Sequence, residues 1–333
     1  MTTPVSDIPV TFVVVSYNSE AVIGECLEAI ERTVPGATCL VMDNGSTDGT
    51  EAAVLNCKGN IELISSASND GFGRACNKGA KLAKTPFVAF VNPDCTVERF
   101  DLGEVRQFER DGRVGLLAAA IHDPGKPPEY LVKDFPRPWR HTWQHVLGPL
   151  VPSQLPAPPS FKKNRSSGWV SGAFFVVSRD EFLGLGGFDR AIFLYYEDTE
   201  LGRRYCDAGL PVRLLELAVG SHEIGLSTDR TGLEGQFMTW SILSWLEYLS
   251  ATNRETVALR HANLIRSGCA MVSKALEVAA RLFPREPIRR KAAQYSQVSC
   301  GLDSAAKGST GIAPPPTDPF YGRAVKLLST RRG

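Results

Sequence analysis

The 333-residue chain lacks several features that assign a protein to a common class. It has no run of roughly 18 apolar residues, so no membrane-spanning helix is expected. Its first residues have neither the basic start nor the apolar core of a signal peptide. The eight cysteines are scattered and form no Cys-x-x-Cys pair, which argues against disulfides and zinc. These absences predict a cytoplasmic protein with reduced thiols.

An excess of one charge is also missing, because the net charge is only +1. This balance gives no reason to expect nucleic acid as a partner. The two signs are nevertheless unevenly distributed. Residues 253–333 contain 14 Lys and Arg against 5 Asp and Glu, which gives +9 there and −8 in the preceding 252 residues. The sequence therefore predicts an acidic body followed by a basic region.

Strand and helix patterns alternate along the first 120 residues. Val10–Ser16 is a continuous apolar and β-branched run, typical of a strand that is buried on both faces. Similar runs predict further strands at 38–42, 61–65, 87–91, 114–121, 169–178 and 212–218. Amphipathic stretches between the strands predict helices. This order predicts an α/β fold with a doubly wound, mostly parallel sheet and a helical C-terminal extension.

The composition changes along the chain and suggests boundaries. Residues 1–227 are expected to form the first domain. Within it, residues 122–168 form a proline-rich loop region, which is either a lid or acceptor surface or simply decoration. Residues 228–300 are expected to be a basic helical extension, and residues 301–333 a flexible tail.

Polar residues follow three of the predicted strands. Ser16 ends the first strand and Asn18 comes just after it, Asp43 follows the second, and Asn92 with Asp94 follows the fourth. The carboxyl ends of parallel strands meet at one edge, where open α/β sheets bind ligands. Each residue alone has a turn or helix cap as its alternative interpretation. Their recurrence at successive strand ends favours a ligand site.

Asp94 is the strongest of these candidates for a ligand-binding residue. The Asn92-Pro93 step before it favours an extended backbone that projects the carboxylate from the sheet edge. A nucleotide diphosphate leaving group needs its negative charge neutralised, and a hard cation held by few protein ligands can do this. The alternative is an aspartate that only shapes the turn.

Four motifs, in this order and spacing, resemble glycosyltransferase family 2, and most of all its bacterial rhamnosyltransferases. They are residues 43–50, 69–77, 92–94 and 196–198. The resemblance covers residues 10 to about 227. It implies a GT-A fold and an inverting transfer of a sugar from a nucleotide-sugar donor to a hydroxyl acceptor. The implied donor is dTDP-L-rhamnose, with a UDP-hexose as the alternative, and the implied process is cell-wall or polysaccharide synthesis.

The resemblance also implies donor-binding roles for individual residues. Asp43 is expected to accept a hydrogen bond from the base, since a carboxylate suits the ring N–H of uracil or thymine. The other implied donor-binding residues are Ser16, Asn18, Asn69, Phe72, Asn77, Asn92, Trp169 and Gly172. Trp169 is alternatively a core residue. Arg230 is a further candidate for contact with phosphate, or alternatively a solvated surface arginine.

The metal motif departs from the family pattern, because Asn92 stands where an aspartate is usual. Asp94 is then the only certain carboxylate ligand. His222 matches a position that can supply a further ligand, although a structural or capping histidine is the alternative. The implied cofactor is Mg²⁺ or Mn²⁺, and an imidazole ligand would favour Mn²⁺.

Glu197 and Asp198 match the acidic pair that supplies the catalytic base. Asp198 is expected to take the proton of the acceptor hydroxyl, and Glu197 to position the acceptor. A helix N-terminus is expected to keep both ionised. The alternative is that two acids merely satisfy the start of a helix.

The basic region mixes cations with apolar residues. Its cations include Arg266, Lys274, Arg281, Arg285, Arg289, Arg290 and Lys291. Just before it, Phe237, Trp240, Trp245 and Tyr248 have the character of interfacial aromatic residues. Peripheral membrane contact at the inner face of the plasma membrane is one expectation, and it suits a polyprenyl-diphosphate-linked acceptor. The alternative is a helical appendage that packs on the body, with a soluble natural product as acceptor.

Two other classes of protein remain to be compared. A nucleotidyltransferase would need a glycine-rich loop with Lys or Arg after the first strand, and residues 16–20 contain none. A non-catalytic sugar-binding module is disfavoured by Asp94, Glu197 and Asp198, although Asn92 leaves it open.

Overall fold

Buried apolar runs form the central strands of the computed structural model. The model describes residues 9–110, 114–122, 129–130, 132–148, 164–165, 168–222, 234–252, 255–307 and 321–330. In β1, Val10, Phe12 and Val14 join one core cluster, whereas Val13 and Val15 join a second. The strand is therefore buried on both faces, as its continuous apolar pattern predicts.

All of the strands predicted from the sequence are present, and the structure adds four short strands that were not predicted, at 95–99, 129–130, 132–133 and 164–165. The strands are β1 (Val10–Ser16), β2 (Thr38–Asp43), β3 (Asn60–Ser65), β4 (Phe87–Val91), β5 (Cys95–Arg99), β6 (Leu116–His122), β7 (Glu129–Tyr130), β8 (Val132–Lys133), β9 (Asn164–Arg165), β10 (Trp169–Val170), β11 (Phe174–Ser178) and β12 (Val212–His222). The helices are α1 (Ile23–Thr33), α2 (Thr50–Asn56), α3 (Phe72–Leu82), α4 (Leu102–Arg110), α5 (Pro138–Leu147), α6 (Arg179–Gly184), α7 (Glu197–Asp207), α8 (Glu234–Thr252), α9 (Glu255–Leu282), α10 (Glu286–Ala306) and α11 (Gly322–Ser329).

The main sheet has the strand order β3-β2-β1-β4-β11-β6-β12-β5, with β7 added to β6 and β9 added to β12. Strands β3, β2, β1 and β4 are parallel, as are β6 and β12. Strand β11 runs antiparallel to both of its neighbours, and β5 is antiparallel to β12. The predicted α/β class is confirmed, and the sheet is mixed: it is parallel from β3 to β4 and combines both directions beyond β4.

The predicted strand 169–178 is divided in two. Its first part, β10, pairs with β8 in a separate two-stranded sheet, and β11 enters the main sheet. The break falls at residues 171–173, which form a turn around Gly172. A glycine inside an apolar run is a position where the chain can leave the sheet.

The chain divides into two compact units. The first comprises Met1–Phe135, Ser160–Arg190 and Glu197–Ser227, and the second Pro136–Pro159, Ala191–Tyr196 and Thr228–Gly333. The second unit thus takes segments from inside the region that the sequence analysis assigned to one domain. The proline-rich region is also more regular than expected, because Pro138 begins the helix α5, where a missing N–H is tolerated.

The second unit has its own apolar core, which corrects two expectations. Trp245 and Tyr248 have the interfacial character that suits one of the two interpretations of this region, membrane contact, but Trp245 is 0% exposed and Tyr248 is also buried. Residues 301–306 end α10 and residues 322–329 form α11, whose Leu327 and Leu328 join this core. These parts of the predicted flexible tail are therefore ordered, because an apolar helix face has a core to pack against.

Two predicted absences can be compared with the described residues. All eight cysteines are free thiols, and burial raises the pKa of Cys39 to about 12. Within the ranges given above, no helix combines the length and hydrophobicity that a bilayer span requires.

Candidate active site

The ends of β1 and β2 hold a fixed carboxylate. Ser16 and Asp43 are partners in the parallel register, and the Ser16 hydroxyl donates to Asp43 Oδ1 at 2.9 Å. Ser46 adds its backbone N–H to Oδ2 at 2.9 Å and its hydroxyl to Oδ1 at 2.5 Å. Three donors therefore hold the buried Asp43 side chain in one orientation at the sheet edge.

Asn18 joins two of the loops at this edge. Its side-chain oxygen accepts from the Thr47 N–H at 2.8 Å, and its own N–H donates to the Ser46 hydroxyl at 2.8 Å. Its φ of 50° is in the left-handed region, which asparagine tolerates better than most residues. The alternative role as a cap of α1 is not observed, since the N-cap position of that helix is Val22.

The start of α3 lies against the same loops. Asn69 Oδ1 accepts from the Gly71 N–H at 2.9 Å, which closes a tight turn before Phe72 begins the helix. The Gly71 carbonyl accepts from Asn44 Nδ2 at 3.2 Å. Gly71 has a φ of 79°, a conformation that suits glycine. The strand end at Asp43 and the helix start at Phe72 are thus connected through a few hydrogen bonds.

Asn77 is buried and its amide binds the protein itself. The side-chain oxygen accepts from the Phe188 N–H at 2.7 Å, and the side-chain nitrogen donates to the Phe188 carbonyl at 2.9 Å. Asn77 therefore holds the turn at Gly187 and Phe188. A direct contact between Asn77 and a donor stays a prediction.

Three predicted residues from distant parts of the sequence meet in space. The Gly172 N–H donates to Asp198 Oδ2 at 3.1 Å, and the Thr199 N–H donates to Asp198 Oδ1 at 2.7 Å. A Cβ placed on Gly172 would lie 3.7 Å from Asp198 Oδ2 and 3.7 Å from Phe72 Cε1. The Asp198 carboxylate is therefore surrounded by the turn before β11, the first turn of α7 and the start of α3.

Glu197 differs strongly from Asp198. It is 8% exposed, and among the described residues its Oε2 atom has no hydrogen-bond partner. Burial, and then the neighbouring charge of Asp198, raise its pKa to about 8. The expectation that a helix N-terminus keeps both acids ionised therefore fails for Glu197, because desolvation outweighs the helix dipole.

The two residues before this pair have unusual backbone conformations. Tyr195 and Tyr196 have φ angles of 68° and 63°, in the left-handed region that costs about 1–2 kcal/mol per residue. Inside the second unit, the Tyr196 hydroxyl hydrogen-bonds with His145 Nε2 at 2.9 Å. Burial, followed by the charge of His141, lowers the pKa of His145 to about 3, so this histidine is neutral.

The turn between β4 and β5 contains the predicted metal ligand. Asn92 donates its N–H to the Ala173 carbonyl at 2.9 Å, which places this turn next to Gly172. Asp94 follows, with its carboxylate oxygens shielded from solvent. His222 pairs with Cys95 across β5 and β12, so the backbone brings His222 close to Asp94. The side chain of His222 lies outside the described residues.

The donor set at this turn can be compared with what a divalent metal needs. In the part of the chain that the structure describes, no group of three or more His, Cys, Asp or Glu residues could hold a metal ion. One carboxylate with an adjacent amide supplies hard oxygen ligands, which suit Mg²⁺ or Mn²⁺ only if phosphate and water complete the shell. The residues fit an open site that is completed by a substrate.

Trp169 and Arg230 are the remaining residues that the sequence analysis predicted to bind the donor. Trp169 is partly exposed and donates its indole N–H to the Asp134 carbonyl at 3.1 Å, so it is not a core residue. Its backbone packs on α7 where Gly202 leaves room, since a Cβ on Gly202 would lie 2.6 Å from Trp169 Cβ. Arg230 lies outside the described residues.

Sequence reasoning missed Ser46 and Thr199, which orient the two carboxylates. Ser46 lies within the motif 43–50, but a polar residue in a glycine-containing turn does not stand out in a sequence. Thr199 follows the acidic pair directly. Position within a motif was the available signal for both.

Comparison with known proteins gives this geometry a context. The family model for glycosyl transferase family 2 matches residues 11–164. An N-acetylglucosaminyl-diphospho-decaprenol L-rhamnosyltransferase of Mycobacterium tuberculosis is 32% identical over an alignment of 270 residues that covers 72% of this chain and 86% of that protein. A 4,4'-diaponeurosporenoate glycosyltransferase of Staphylococcus aureus is 27% identical over 214 residues, 62% of this chain and 53% of that protein.

A solved structure of GalNAc-T7 with UDP, GalNAc and Mn²⁺ is similar in fold. Its TM-score is 0.53 at 14% identity, over 73% of this chain and 48% of that chain. The fold, with polar side chains gathered at the strand ends, defines the GT-A class of glycosyltransferases. Given the 32% identity over most of the mycobacterial relative, the chain belongs to glycosyltransferase family 2.

Proposed function

We propose that this glycosyltransferase moves L-rhamnose from dTDP-L-rhamnose to a hydroxyl of a polyprenyl-diphosphate-linked cell-wall or polysaccharide intermediate, with inversion. The observation on which the proposal depends is the carboxylate of Asp198, held by the Gly172 N–H beside Phe72. The activity for which the mycobacterial relative is named supports the sugar and the lipid-linked acceptor. Inversion follows from the implied one-step chemistry of the family.

Asp198 is proposed as the catalytic base. The acceptor oxygen forms a bond to the anomeric carbon on the face opposite the diphosphate. The bond to the diphosphate oxygen breaks and its electron pair leaves with that oxygen. Asp198 takes the proton of the acceptor hydroxyl. The N–H groups of Gly172 and Thr199 hold the carboxylate in place and stabilise its negative charge.

Glu197 is proposed to position the acceptor in its protonated form. With a pKa of about 8 it is mostly neutral at pH 7, so it can donate a hydrogen bond that a carboxylate cannot. Two adjacent acids with separated pKa values suit two different roles. The neutral acid next to Asp198 also avoids the repulsion of a second buried negative charge.

The donor is proposed to bind along the sheet edge. Asp43 accepts the ring N–H of the base and is itself oriented by Ser16 and Ser46. The turn that Asn69 closes and the ring of Phe72 are proposed to contact the donor between its base and Asp198. The remaining proposed contacts are Asn18, Asn77, Asn92, Trp169 and Arg230.

Asp94 and His222 are proposed to hold a divalent cation, Mg²⁺ or Mn²⁺. When bound, such a cation neutralises the diphosphate charge that develops as the sugar leaves. Asn92 borders the same turn and offers its amide oxygen. This assignment explains why a carboxylate stands in a turn at the end of β4.

A UDP-hexose donor with a soluble natural-product acceptor is the second candidate. Asp43 supports it equally, because uracil and thymine present the same N–H to a carboxylate. A lipid-linked acceptor would place the enzyme at the inner face of the plasma membrane. The donor and the acceptor therefore have to be tested separately.

The donor is tested by thermal shift and by turnover of the full chain. The donors are dTDP-L-rhamnose, UDP-glucose and UDP-galactose, each with Mn²⁺, with Mg²⁺ or with EDTA. The acceptor is a short-chain polyprenyl-diphosphate N-acetylglucosamine, and mass spectrometry detects the product. We expect a metal-dependent shift and a product one deoxyhexose heavier only with dTDP-L-rhamnose. Product with a UDP-hexose instead would replace the proposed donor, and no shift with any donor would contradict nucleotide-sugar binding.

A further inference from the structure

Four large apolar side chains project into solvent within one short stretch of the second unit. Met271, Val278, Leu282 and Phe283 are 66%, 54%, 68% and 60% exposed. The first three lie in the second half of α9, and Phe283 follows its last residue. Scattered exposed hydrophobic residues are common, but such clustering within 13 residues calls for a physical explanation.

The exposed residues share one face of α9. With about 100° of rotation per residue, Met271, Val278 and Leu282 lie within roughly 40° of one another around the helix axis. Cys269 and Ser273, on the opposite side, are buried in the helical unit. The helix therefore has two apolar faces, of which only one is used inside its own unit.

Cations border the exposed face. Lys274 and Arg281 lie on α9 beside the apolar row, and Arg285 lies in the turn to α10; all three are exposed. None of them forms an ion pair with another described residue, in contrast to Arg290, which pairs with Glu234. From Met271 to Lys291 the chain has six Lys and Arg and two Glu. The face is both apolar and positively charged.

The turn that joins α9 and α10 presents this face in a defined shape. The Phe283 N–H donates to the Ala279 carbonyl, and the Arg285 N–H donates to the Phe283 carbonyl at 2.7 Å. Pro287 lies in the first turn of α10, which begins at Glu286. Phe283 thus lies at the tip of a helical hairpin and is held there by backbone hydrogen bonds on both sides of Pro284.

We propose that this hairpin tip, Met271–Arg289, is a docking surface for an anionic phospholipid bilayer. Leu282 and Phe283 would enter the boundary between headgroups and acyl chains, while Lys274, Arg281 and Arg285 contact lipid phosphates. The positive charge favours a negatively charged partner. A single row of apolar side chains is too narrow for the roughly 1,600 Å² of a stable protein interface, which argues against a second copy of the chain.

This docking surface keeps four of the seven cations that the sequence suggested but none of the suggested aromatic residues. Trp245 and Tyr248 are buried, and Arg266 pairs with Asp303, so these residues are engaged within the helical unit. The surface accords with the proposed lipid-linked acceptor but is inferred from the hairpin itself. Vesicle binding and sugar transfer are therefore measured in separate assays.

The test is co-sedimentation of the full chain with vesicles of phosphatidylcholine containing 30% phosphatidylglycerol, against vesicles of phosphatidylcholine alone. We expect binding to the anionic vesicles that is at least tenfold stronger and that weakens as salt is added. Leu282→Ser/Phe283→Ser and Lys274→Glu/Arg281→Glu should each weaken it at least tenfold. Both pairs are exposed, and thermal melting verifies that the variants are folded.

The matched control is Leu55→Ser/Lys58→Glu, which removes an exposed leucine and an exposed cation near α2 in the first unit. It should bind vesicles like the unaltered chain. The proposal is overturned if the unaltered chain does not bind anionic vesicles, or if the hairpin variants bind as well as the control. It is also overturned if, without vesicles, Leu282→Ser/Phe283→Ser dissociates a dimer seen by ultracentrifugation. Turnover of the short-chain acceptor tests the proposed function alone.

Discussion

At the scale of single residues, the adjacent acids Glu197 and Asp198 have different environments. Asp198 accepts N–H groups from Gly172 and Thr199, whereas Glu197 is buried with a pKa raised to about 8. A buried carboxyl that keeps its proton near neutral pH is a recurring feature of sites that need one acid and one base. Substitutions of the two acids can therefore distinguish their roles.

Glu197→Gln should keep most of the activity at pH 7, since glutamine resembles the neutral form of the acid. We expect kcat to fall less than about tenfold, whereas loss of a general base in Asp198→Asn should lower it by about 10²–10⁴-fold. Steady-state kinetics with dTDP-L-rhamnose provide the measurement. Equal losses in the two variants would remove the distinction between their roles.

The same substitution should stabilise the protein at alkaline pH. Because the native pKa of Glu197 is above the unfolded value of about 4.5, the native state holds a proton that the unfolded state releases as pH rises through this window. Stability from this group is present below about pH 4.5 and is lost as pH rises toward 8, by at most about 1.4 kcal/mol per pH unit. Melting temperatures should therefore favour Glu197→Gln at pH 8 and approach equality at pH 5.

At the scale of elements, the turn between α6 and α7 illustrates how one side chain holds a loop. Gly186 and Gly187 both have positive φ angles, 89° and 69°. A Cβ on Gly186 would meet no atom within 4 Å, whereas a Cβ on Gly187 would lie 2.2 Å from Asn77 Oδ1. Only the second glycine is required by packing as well as by conformation.

Gly187→Ala should therefore destabilise the protein more than Gly186→Ala. Both variants place a Cβ in the left-handed region at about 1–2 kcal/mol. The Gly187 variant must also displace the Asn77 amide from Phe188, which adds about 1–3 kcal/mol. Urea unfolding of both variants, alone and with Asn77→Ala, tests this as a double-mutant cycle. If Gly187→Ala still destabilises the protein more than Gly186→Ala when residue 77 is alanine, the proposed clash between the new Cβ and the Asn77 amide is contradicted.

At the scale of the whole molecule, buried histidines make the second unit sensitive to acid. Burial lowers the pKa of three histidines in the second unit: His261, and the pair His141 and His145, whose pKa values fall to about 4 and about 3. The charge of Arg140 lowers the value for His141 further, and that of His141 lowers the value for His145. Both histidines of this pair are neutral in the native state and protonate readily once unfolded, at about pH 6.5.

Acid should therefore weaken the second unit before it weakens the first. Between about pH 6.5 and pH 4 the unfolded state binds protons that the native state does not, so stability falls as pH falls. Each histidine contributes at most about 1.4 kcal/mol per pH unit. Hydrogen exchange at pH 7 and pH 5 should show the loss in α5, α8 and α9. His145→Gln should reduce the loss of stability between pH 7 and pH 5, whereas the exposed control Gln144→Ala should not. An equal loss in the two variants would contradict the assignment of this pH dependence to His145.

Parts of the active site follow from local patterns. Ser16, Asp43, Asn92 and Asp94 are at strand ends because their strands are continuous apolar runs, and parallel topology gathers such ends at one edge. The raised pKa of Glu197 could not be predicted, because it depends on how far α7 is buried. The bonds between Asn77 and Phe188 join residues 111 positions apart, a separation that no local pattern reports.

The sequence by itself determined the alternation of strands and helices from β1 to β4, the strand-end motifs, the membership of the family and the basic C-terminal region, because each is written in local periodicity or in residues of a motif. Only the tertiary structure decided that Gly172 supports Asp198, that Glu197 retains a proton, and that α11 is ordered. It also decided which apolar face of α9 is left exposed. Burial and long-range contact arise when elements pack together, so the same residue pattern is compatible with a core or a surface until its neighbours are in place.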